Sequence, residues 1–374
     1  MKFLNDNFKE LEKEMDVNDS NKIATLHDDN LKTSKKENKL NIYVIGTGGA
    51  GNNTITRLNQ IGIDDVTTIA INTDAPDLYH CQSDEKILIG DMRCKKLGAE
   101  GNPNFAKECV KESEDLIHEK LKNGDVIIIT CGLGGGTGTG SAPIIAKIAK
   151  DAGVLTIAVV TLPFSSERFT RRENAEKGLK NLLNNADSVI TFPNDILLEV
   201  APNLSVNNAF MVLDEILART IKSLTELIKN PSLSLEFADI INILQDSNAS
   251  MIGMGESELG DQIFQSVHQA LNFPLLDYDI SFYKGAIINF TSSYALNQKE
   301  YEKMVQIVAD KLAPKAKIIW ASQIDDSLEN TIKTTIIVIK NSKNIYQGRW
   351  DENNDDGPFK FLNNHYLPDK KFKI

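Results

Sequence analysis

A single stretch rich in glycine and threonine constrains this chain more than any other feature of its sequence. Residues 131–141 read Cys-Gly-Leu-Gly-Gly-Gly-Thr-Gly-Thr-Gly-Ser, after the apolar segment 125–130 and before a segment rich in Ala and Ile. Glycines let successive backbone N–H groups turn towards one anion, and the N-terminus of a following helix adds partial positive charge. A flexible linker, the alternative, is not expected between a buried strand and a helix. The stretch therefore predicts a phosphate-binding loop.

A second glycine cluster leaves two nucleotide classes open. Residues 46–53 read Gly-Thr-Gly-Gly-Ala-Gly-Asn-Asn and match G-x-G-x-x-G, and Asp74 ends the next predicted strand, where dinucleotide-binding folds place a ribose-binding acid. An NAD-dependent oxidoreductase is therefore one candidate. However, two glycine clusters suit a longer phosphate chain than the pyrophosphate of a dinucleotide. The sequence also offers no clear set of residues for hydride transfer, for which only His268 and Arg219 are candidates. The Walker pattern G-x-x-x-x-G-K-[ST] does not occur.

Composition excludes several classes of protein. The 374 residues are enough for two domains, and a formal net charge of −11 argues against a nucleic-acid-binding surface. No apolar stretch is long enough to span a bilayer or resembles a signal peptide, so we expect a cytoplasmic protein without membrane insertion. The four cysteines and five histidines do not cluster, so neither a metal site nor a disulfide framework is expected.

The order of apolar segments predicts an α/β fold in two parts. Strand-like runs at residues 40–45, 66–71, 126–129, 155–160 and 188–192 alternate with helical stretches, which indicates βαβ units and a parallel sheet. Residues 207–229 follow as a long helix, with an apolar stripe formed by Phe210, Leu213, Leu217, Ile221, Leu224 and Ile228. Further strands at 284–291, 315–321 and 331–339 predict a compact second domain.

The two ends of the chain differ from this central part. Residues 1–38 are rich in charged residues, Asn and Ser, which predicts a mobile arm. Within the arm Leu4, Phe8, Leu11 and Met15 are spaced as on one face of a helix, so either a partner-binding helix or an ordinary surface helix is possible. Residues 341–374 mix Asn, Asp, Gly and Pro with scattered aromatics, which predicts a flexible tail.

With these features in place, the chain resembles the tubulin superfamily, in particular its prokaryotic cell-division branch. The resemblance rests on Gly-Gly-Gly-Thr-Gly-Thr-Gly at 134–140 and on the order of segments from about 41 to 340. It implies a Rossmann-like parallel-sheet GTP-binding domain at 39–206, a central helix at 207–230 and a smaller α/β activation domain at 231–340. It also implies binding of GTP or GDP with Mg²⁺, and head-to-tail filaments in cell division that hydrolyse GTP at subunit interfaces.

The resemblance also assigns site residues. It places Gly48, Gly49 and Asn52 in the first phosphate loop, Asn72 and Asp74 in the second, Gly98 and Ala99 in a loop that senses the γ-phosphate, Gly134, Gly135, Gly136, Thr137, Gly138 and Thr139 in the signature loop, Glu167 and Arg171 at the ribose, and Asn194, Phe210 and Asp214 at the guanine.

The chemistry of these residues is consistent with those roles. A carboxylate such as Asp214 can accept hydrogen bonds from both N1–H and the exocyclic amine of guanine, and Phe210 can stack on the base. Simpler interpretations remain open for each. Asp74 could form only a strand-ending turn, Phe210 and Asp214 could be a core aromatic and a solvated acid, and Glu167 with Arg171 could be a surface ion pair.

The catalytic segment departs from the family pattern, which is Asn, one residue, Asp, two residues, Asp. Here Ser234 replaces the Asn and Glu236 replaces the first Asp, while Asp239 is retained, and the loop is one residue shorter. Glu236 and Asp239 are the predicted catalytic acids, although both could instead favour a helix N-terminus through the dipole. A misplacement on the order of 1 Å can lower a rate about a hundredfold, so a filament scaffold with weak hydrolysis is the alternative function.

The resemblance further implies partners and a location. We expect the chain to bind copies of itself and, through its C-terminal tail, a membrane-tethering or division protein at the division site of the cytoplasm.

Overall fold

The structure is a computed structural model, and it describes residues 40–90, 98–200, 205–229, 237–245, 247–260, 262–273, 276, 280–281, 283 and 285–340. The predicted arm at 1–38 and the predicted tail at 341–374 therefore lie outside the described residues. None of the helices in the described ranges combines the length and the apolar composition that a membrane crossing requires.

Six parallel strands form the first part of the sheet. Their bounds are β1 Ile42–Thr47, β2 Thr67–Asn72, β3 Glu85–Leu88, β4 Val126–Gly132, β5 Leu155–Leu162 and β6 Ser188–Pro193. They lie in the order β3-β2-β1-β4-β5-β6, and each neighbouring pair is parallel. The predicted parallel sheet is thus confirmed, and the carboxyl ends of all six strands meet at one edge.

Helices connect these strands and cover both faces of the sheet. They are α1 Gly48–Ile61, α2 Ala75–His80, α3 Pro103–Glu112, α4 Glu114–Leu121, α5 Thr137–Asp151, α6 Phe169–Asn185 and α7 Ile196–Val200. Buried side chains of α1 join the hydrophobic core on one face, whereas those of α3, α4, α5 and α6 join the core on the other. Coverage of both faces explains why the strands read as nearly continuous apolar runs.

The long helix predicted after β6 is confirmed as α8, Val206–Lys229. Five residues of its predicted apolar stripe are buried against the sheet, namely Leu213, Leu217, Ile221, Leu224 and Ile228. Phe210, the sixth, is 39% exposed instead, because it lies near the N-terminus of α8, where the strands have ended. This departure from the core pattern leaves an aromatic ring accessible beside the carboxyl edge of the sheet.

The second part of the structure extends the same sheet. It contains α9 Phe237–Leu244, β7 Asn248–Glu258, α10 Ile263–Leu271, β8 Gly285–Ser292, α11 Gln298–Ala309, β9 Lys317–Ile324 and β10 Thr331–Lys340. The strand order continues from β6 as β7-β10-β8-β9, with β10 antiparallel to both neighbours. Only three residues of β7 pair with β6. The predicted domain boundaries at 206/207 and 230/231 stay predictions, since the sheet runs through both parts.

Two strands were not singled out by the sequence pattern. β3 is a four-residue edge strand, and β7 carries two glycines that interrupt its apolar pattern. Those glycines have a packing role, because a Cβ atom at Gly253 would lie 2.0 Å from the carbonyl oxygen of Ala270, and one at Gly255 would lie 2.0 Å from that of Ser266. Helix α10 therefore packs directly on the backbone of β7, which only glycine permits.

Candidate nucleotide-binding site

The two glycine clusters meet at the carboxyl ends of β1 and β4. The first cluster was expected to form a loop, but β1 continues to Thr47 and α1 begins at Gly48, so most of its glycines lie inside the helix. Gly48 has φ +71°, and a Cβ atom there would lie 2.9 Å from the backbone nitrogen of Gly138. The N-termini of α1 and α5 are therefore adjacent, and together they favour an anion.

The second cluster forms the short turn that enters α5. Gly134 has φ +104°, and its N–H donates to Thr139 Oγ1 over 2.8 Å. A Cβ atom at Gly138 would lie 2.9 Å from the carbonyl oxygen of Gly132, whereas one at Gly135 would meet no atom within 4 Å. Gly138 is therefore required by internal packing, while Gly135 borders open space. That space is where the predicted phosphate-binding loop would hold its ligand.

Residues after β2 close the same site from the side. Thr73 Oγ1 lies 2.7 Å from Thr137 Oγ1 and joins this segment to the N-terminus of α5. Asp74 caps α2 by accepting a hydrogen bond from the N–H of Asp77 over 3.1 Å. Asn72 Nδ2 donates to Asp77 Oδ2 over 2.6 Å. Asp74 thus has a structural role in the turn that ends β2, as the simpler interpretation proposed, and its contact with a nucleotide stays a prediction.

The predicted γ-phosphate-sensing loop contacts both of these segments. A Cβ atom at Gly98, which has φ +89°, would lie 3.7 Å from Asp74 Oδ2. A Cβ atom at Gly136 would lie 2.9 Å from Ala99 Cβ. Gly98 and Ala99 therefore adjoin the phosphate cradle, although residues 91–97 lie outside the described residues.

The predicted ribose contacts lie on the segment between β5 and α6. Glu167 accepts a hydrogen bond from the N–H of Phe164 over 2.9 Å and forms an ion pair with Arg171 Nη1 at 3.1 Å. The Arg171 side chain is 55% exposed and that of Glu167 is 21% exposed. A Cβ atom at Gly134 would lie 2.9 Å from the carbonyl oxygen of Arg171, so this segment borders the signature loop.

The predicted guanine contacts come from β6 and α8. Phe210 lies edge-to-face against Phe164, with 5.8 Å between ring centroids. Asp214 is half-buried, and it accepts a hydrogen bond from Thr54 Oγ1 of α1 over 3.4 Å. Burial raises the pKa of Asp214 from its usual 3.8 to about 6, and only the Thr54 hydroxyl lowers it. Asp214 is therefore a poorly solvated acid, contrary to the simpler interpretation.

Two asparagines of the predicted site have buried polar atoms without a partner among the described residues. Asn52 is 2% exposed, and in the described part of the chain neither its Nδ2 nor its Oδ1 has a hydrogen-bond partner. Asn194 is 7% exposed, and its Oδ1 likewise has no partner there. A buried polar group without a partner costs about 1–3 kcal/mol, so native proteins seldom retain one without a purpose. The residues present therefore fit a bound group that carries both donors and acceptors.

Asp239, one of the two predicted catalytic acids, is not brought to this site within the chain. Asp239 lies in the first turn of α9, with its Oδ1 3.8 Å from Lys317 Nζ. Helix α8 separates the two regions, and it rises about 22 Å between Asp214 and Lys229. Glu236 and Ser234 lie outside the described residues.

Three residues of this region were not foreseen from the sequence. Thr54 contacts Asp214 and Thr73 contacts Thr137, as described above. Asp195 accepts hydrogen bonds from Ser165 across 30 positions of sequence. Nothing in the local pattern signals such contacts, because threonine and aspartate near strand ends are equally typical of ordinary turns.

Comparison with known families agrees with this geometry. Residues 41–202 match the Tubulin/FtsZ family, GTPase domain, and residues 248–340 match the FtsZ family, C-terminal domain. The boundary between the two matches falls around α8 and α9, where the sheet passes from its parallel part to its mixed part.

Curated relatives and solved structures extend this similarity over most of the chain. The chain is 54% identical over 339 residues to the cell division protein FtsZ of Methanothermobacter thermautotrophicus, which covers 90% of this chain and 89% of the relative. It is 47% identical over 312 residues to cell division protein FtsZ 1 of Thermococcus kodakarensis, with 83% of each chain covered. Its structure is similar to that of an empty FtsZ dimer of M. jannaschii, with a TM-score of 0.78, 43% identity, and coverage of 84% of this chain and 92% of the other.

Proposed function

This chain belongs to the Tubulin/FtsZ family, among the FtsZ proteins of cell division, and we propose that the site described above is its GTP-binding site. As a member of that family it is a GTPase, it binds GTP and GDP, and it polymerises. The single observation that carries the site assignment is the buried amide of Asn52, which has no hydrogen-bond partner among the described residues and lies in α1, whose N-terminus adjoins that of α5.

The phosphates would bind at the N-termini of α1 and α5. Gly48 and Gly49 of α1, together with residues 134–139 before and within α5, would present backbone N–H groups and the Thr137 hydroxyl to the anion. The open space beside Gly135 supports this role. Asn72, Asp74, Gly98 and Ala99 would close the cradle around the terminal phosphates.

Mg²⁺ would accompany the nucleotide at this edge of the cradle. The described residues contain no cluster of three or more histidine, cysteine or carboxylate side chains suited to a metal ion. Mg²⁺ usually binds proteins through one or two carboxylates plus phosphate oxygens. Asp74 and Asp77 could supply the carboxylates, and a bound nucleotide would supply the phosphate oxygens. The bound ion would neutralise phosphate charge during transfer.

The base would lie between α1, β6 and α8. The Asp214 carboxylate would accept hydrogen bonds from N1–H and the 2-amino group of guanine, which adenine lacks. The buried Oδ1 of Asn194 would accept another, and the exposed ring of Phe210 would stack on the base. Glu167 and Arg171 would contact the ribose.

Hydrolysis would be completed between two subunits. Asp239 lies beyond the far end of α8 from the phosphate cradle, so one chain cannot easily bring both together. In a head-to-tail filament Glu236 and Asp239 of one subunit would reach the nucleotide of the next, where they would polarise the attacking water. The cradle would hold the phosphates in position for that attack.

Exposed apolar side chains near the nucleotide site support such a contact. Leu198 is 62% exposed, Met211 69% and Phe169 70%, on α7, α8 and α6 respectively. All three lie near the carboxyl ends of β5 and β6. Large apolar side chains grouped at one end of a molecule are typical of an interaction surface. A head-to-tail contact does not close on itself, so filaments follow from it.

The decisive experiment measures bound nucleotide and shared catalysis together. Guanine nucleotide should be extracted from the purified protein, and the GTPase rate per subunit should rise with protein concentration. Asp239→Ala should bind GTP and assemble while hydrolysing slowly. Mixing it with a subunit disrupted at Gly135 and Gly136 should restore part of the activity. Extraction of mainly NAD, or a rate independent of concentration, would contradict the proposal.

Two finer points complete the proposal. The tail at 341–374 would bind a membrane-tethering or division protein, which would bring the filament to the division site in the cytoplasm. The filament scaffold with weak hydrolysis remains the second candidate, because Ser234 and Glu236 depart from the family pattern. Phosphate release during assembly separates the two functions.

A further inference from the structure

A buried carboxylate lies directly beside the proposed base contact. Asp195 follows β6 and is 3% exposed. Its two oxygens accept from the N–H of Ser165 over 3.1 and 3.0 Å, and Oδ1 also accepts from Ser165 Oγ over 3.0 Å. Burial raises the pKa of Asp195, and the nearby Glu167 carboxylate raises it further. Among the described residues no cation forms a salt bridge with it.

Burying the Asp195 carboxylate lowers the stability of the folded chain, so its hydrogen bonds are better explained by the geometry that they impose than by stabilisation. A buried carboxylate held only by neutral donors contributes less to stability than an apolar side chain of similar size would. The bonds do have a geometric effect, because Ser165 lies on the segment between β5 and α6 that also carries Glu167. Asp195 therefore joins that segment to the turn that carries Asn194.

The same segment has other contacts, but none of them replaces this one. The hydrogen bond from the N–H of Phe164 to Glu167 joins two residues of the same segment, so it does not link the segment to another element. Phe164 contacts Phe210 of α8 by an edge-to-face ring contact, which tolerates sliding more readily than a hydrogen bond does. The β5–β6 ladder ends with the N–H of Asn194 donating to the carbonyl oxygen of Leu162 over 2.9 Å, and past that point the bonds from Asp195 are the directional contacts that the described residues show between this segment and the turn after β6.

We propose that Asp195 is a positioning residue that sets the ribose contact of Glu167 relative to the base contact of Asn194. Its carboxylate takes no part in the reaction and touches no substrate. By holding the Ser165 backbone and hydroxyl, it fixes where the Glu167 side chain lies when a guanine nucleotide occupies the site. This inference rests on the proposed function, because it requires that Glu167 contacts the ribose.

The test compares GTP with 2′,3′-dideoxy-GTP, which lacks both ribose hydroxyls. In the wild-type chain the dideoxy nucleotide should bind about tenfold more weakly, as expected for the loss of a hydrogen bond to a carboxylate. The ribose ratio is the dissociation constant of the dideoxy nucleotide divided by that of GTP. In Asp195→Ala this ratio should fall close to one, because GTP should bind more weakly while the affinity for the dideoxy nucleotide stays the same. Asp195→Asn, which retains an acceptor for Ser165, should give an intermediate ratio, and so should Ser165→Ala, which retains the backbone N–H.

A second buried aspartate provides the matched control. Asp187 precedes β6, is 4% exposed, and accepts from the N–H of Thr156 while it pairs with Lys150. Asp187→Ala removes a comparable buried carboxylate at the opposite end of the same strand, so it should lower thermal stability without changing the ribose ratio. Equal loss of the ratio in both alanine variants would show a general structural effect and overturn the inference.

Glu167→Ala, which removes the acceptor altogether, separates failure of this inference from failure of the proposed function. If the ratio stays near ten in Glu167→Ala, the ribose assignment itself is wrong and the inference fails with it. If Glu167→Ala lowers the ratio but folded Asp195→Ala does not, only the positioning role of Asp195 is overturned. Should Asp195→Ala fail to fold, Asp195→Asn and Ser165→Ala decide the question by the same ratio.

Discussion

Replacing Asp214 by asparagine should stabilise the nucleotide-free protein while it weakens GTP binding. Burial raises the pKa of Asp214 from 3.8 to about 6. At pH 7 the folded chain must therefore keep a poorly solvated carboxylate ionised, which at about 1.4 kcal/mol for each pKa unit costs about 3 kcal/mol relative to the unfolded chain. Asp214→Asn has nearly the same shape and no charge, and its amide oxygen can still accept from Thr54.

The pH dependence gives the sign of this effect. Because the folded pKa is higher than the unfolded one, folding binds a proton between about pH 4 and pH 6, and the contribution of Asp214 to stability falls as the pH rises through that range. The stability gain of Asp214→Asn should be largest at pH 7, up to about 3 kcal/mol, and only about 0.5 kcal/mol at pH 4. Urea denaturation of the nucleotide-free protein at both pH values measures it.

Binding should change in the opposite direction. Guanine donates two hydrogen bonds to the ionised carboxylate, so the variant should bind GTP more weakly by about 2 kcal/mol, or about 30-fold. Below about pH 6 the GTP affinity of the wild-type chain should fall about tenfold more per pH unit than that of the variant, which retains only the dependence caused by protonation of the terminal phosphate. The asparagine amide should also favour xanthosine triphosphate, whose 2-carbonyl group is an acceptor.

Calorimetric titration of both nucleotides against both proteins would decide the matter, with Glu215→Gln as a control. Glu215 is the neighbouring acid on α8 and forms ion pairs with Arg57 and Arg219 on the protein surface. Glu215→Gln should leave the relative affinities for GTP and xanthosine triphosphate unchanged. A variant with wild-type GTP affinity would refute the assignment of Asp214 to the base, and a variant that is destabilised at pH 7 would refute the cost of burying its carboxylate.

Three further predictions concern the glycines and the unpaired amide. Gly135→Ala should leave the unfolding free energy within about 0.5 kcal/mol of wild type yet weaken GTP binding, because its Cβ atom would enter only the open space of the cradle; comparable binding would show that the ligand lies elsewhere. Gly138→Ala should destabilise the protein by about 1–3 kcal/mol, since its Cβ atom would lie 2.9 Å from a carbonyl oxygen, and thermal unfolding without nucleotide measures this. Asn52→Ala should retain or increase the stability of the nucleotide-free protein but lower GTP affinity by fluorescence titration, and a loss of stability without loss of affinity would contradict a ligand role for its amide.

Much of the site could be anticipated because its parts are local in sequence. The turn before α5 needs glycine at Gly134 for a positive φ, and that requirement is visible in the sequence itself. Likewise, the apolar period of α8 predicted its bounds to within one residue, because burial against the sheet repeats with the helix period. The family resemblance added predicted roles for individual residues, which no local pattern contains.

Other features depended on contacts between distant parts of the chain. Asn52 looked like one more residue of a glycine-rich loop, yet it is buried within α1 with an unpaired amide. The link between Ser165 and Asp195 joins two turns through hydrogen bonds that neither turn predicts. Gly253 interrupts the apolar pattern of β7, so the sequence did not predict this strand. The structure explains the glycine, because α10 packs directly on the backbone of β7 at this position.

The division between the two kinds of information has a physical basis. The α/β class, the long helix and the glycine-rich turn before α5 follow from local patterns of sequence, since backbone conformation and hydrophobic period act over a few neighbouring residues. The raised pKa of Asp214, about 6, depends instead on how the chain folds, because desolvation depends on every atom that surrounds the carboxylate. The fold also places Asp239 far from the predicted cradle of its own chain, because the length and direction of α8 separate two segments that the catalytic prediction brings together.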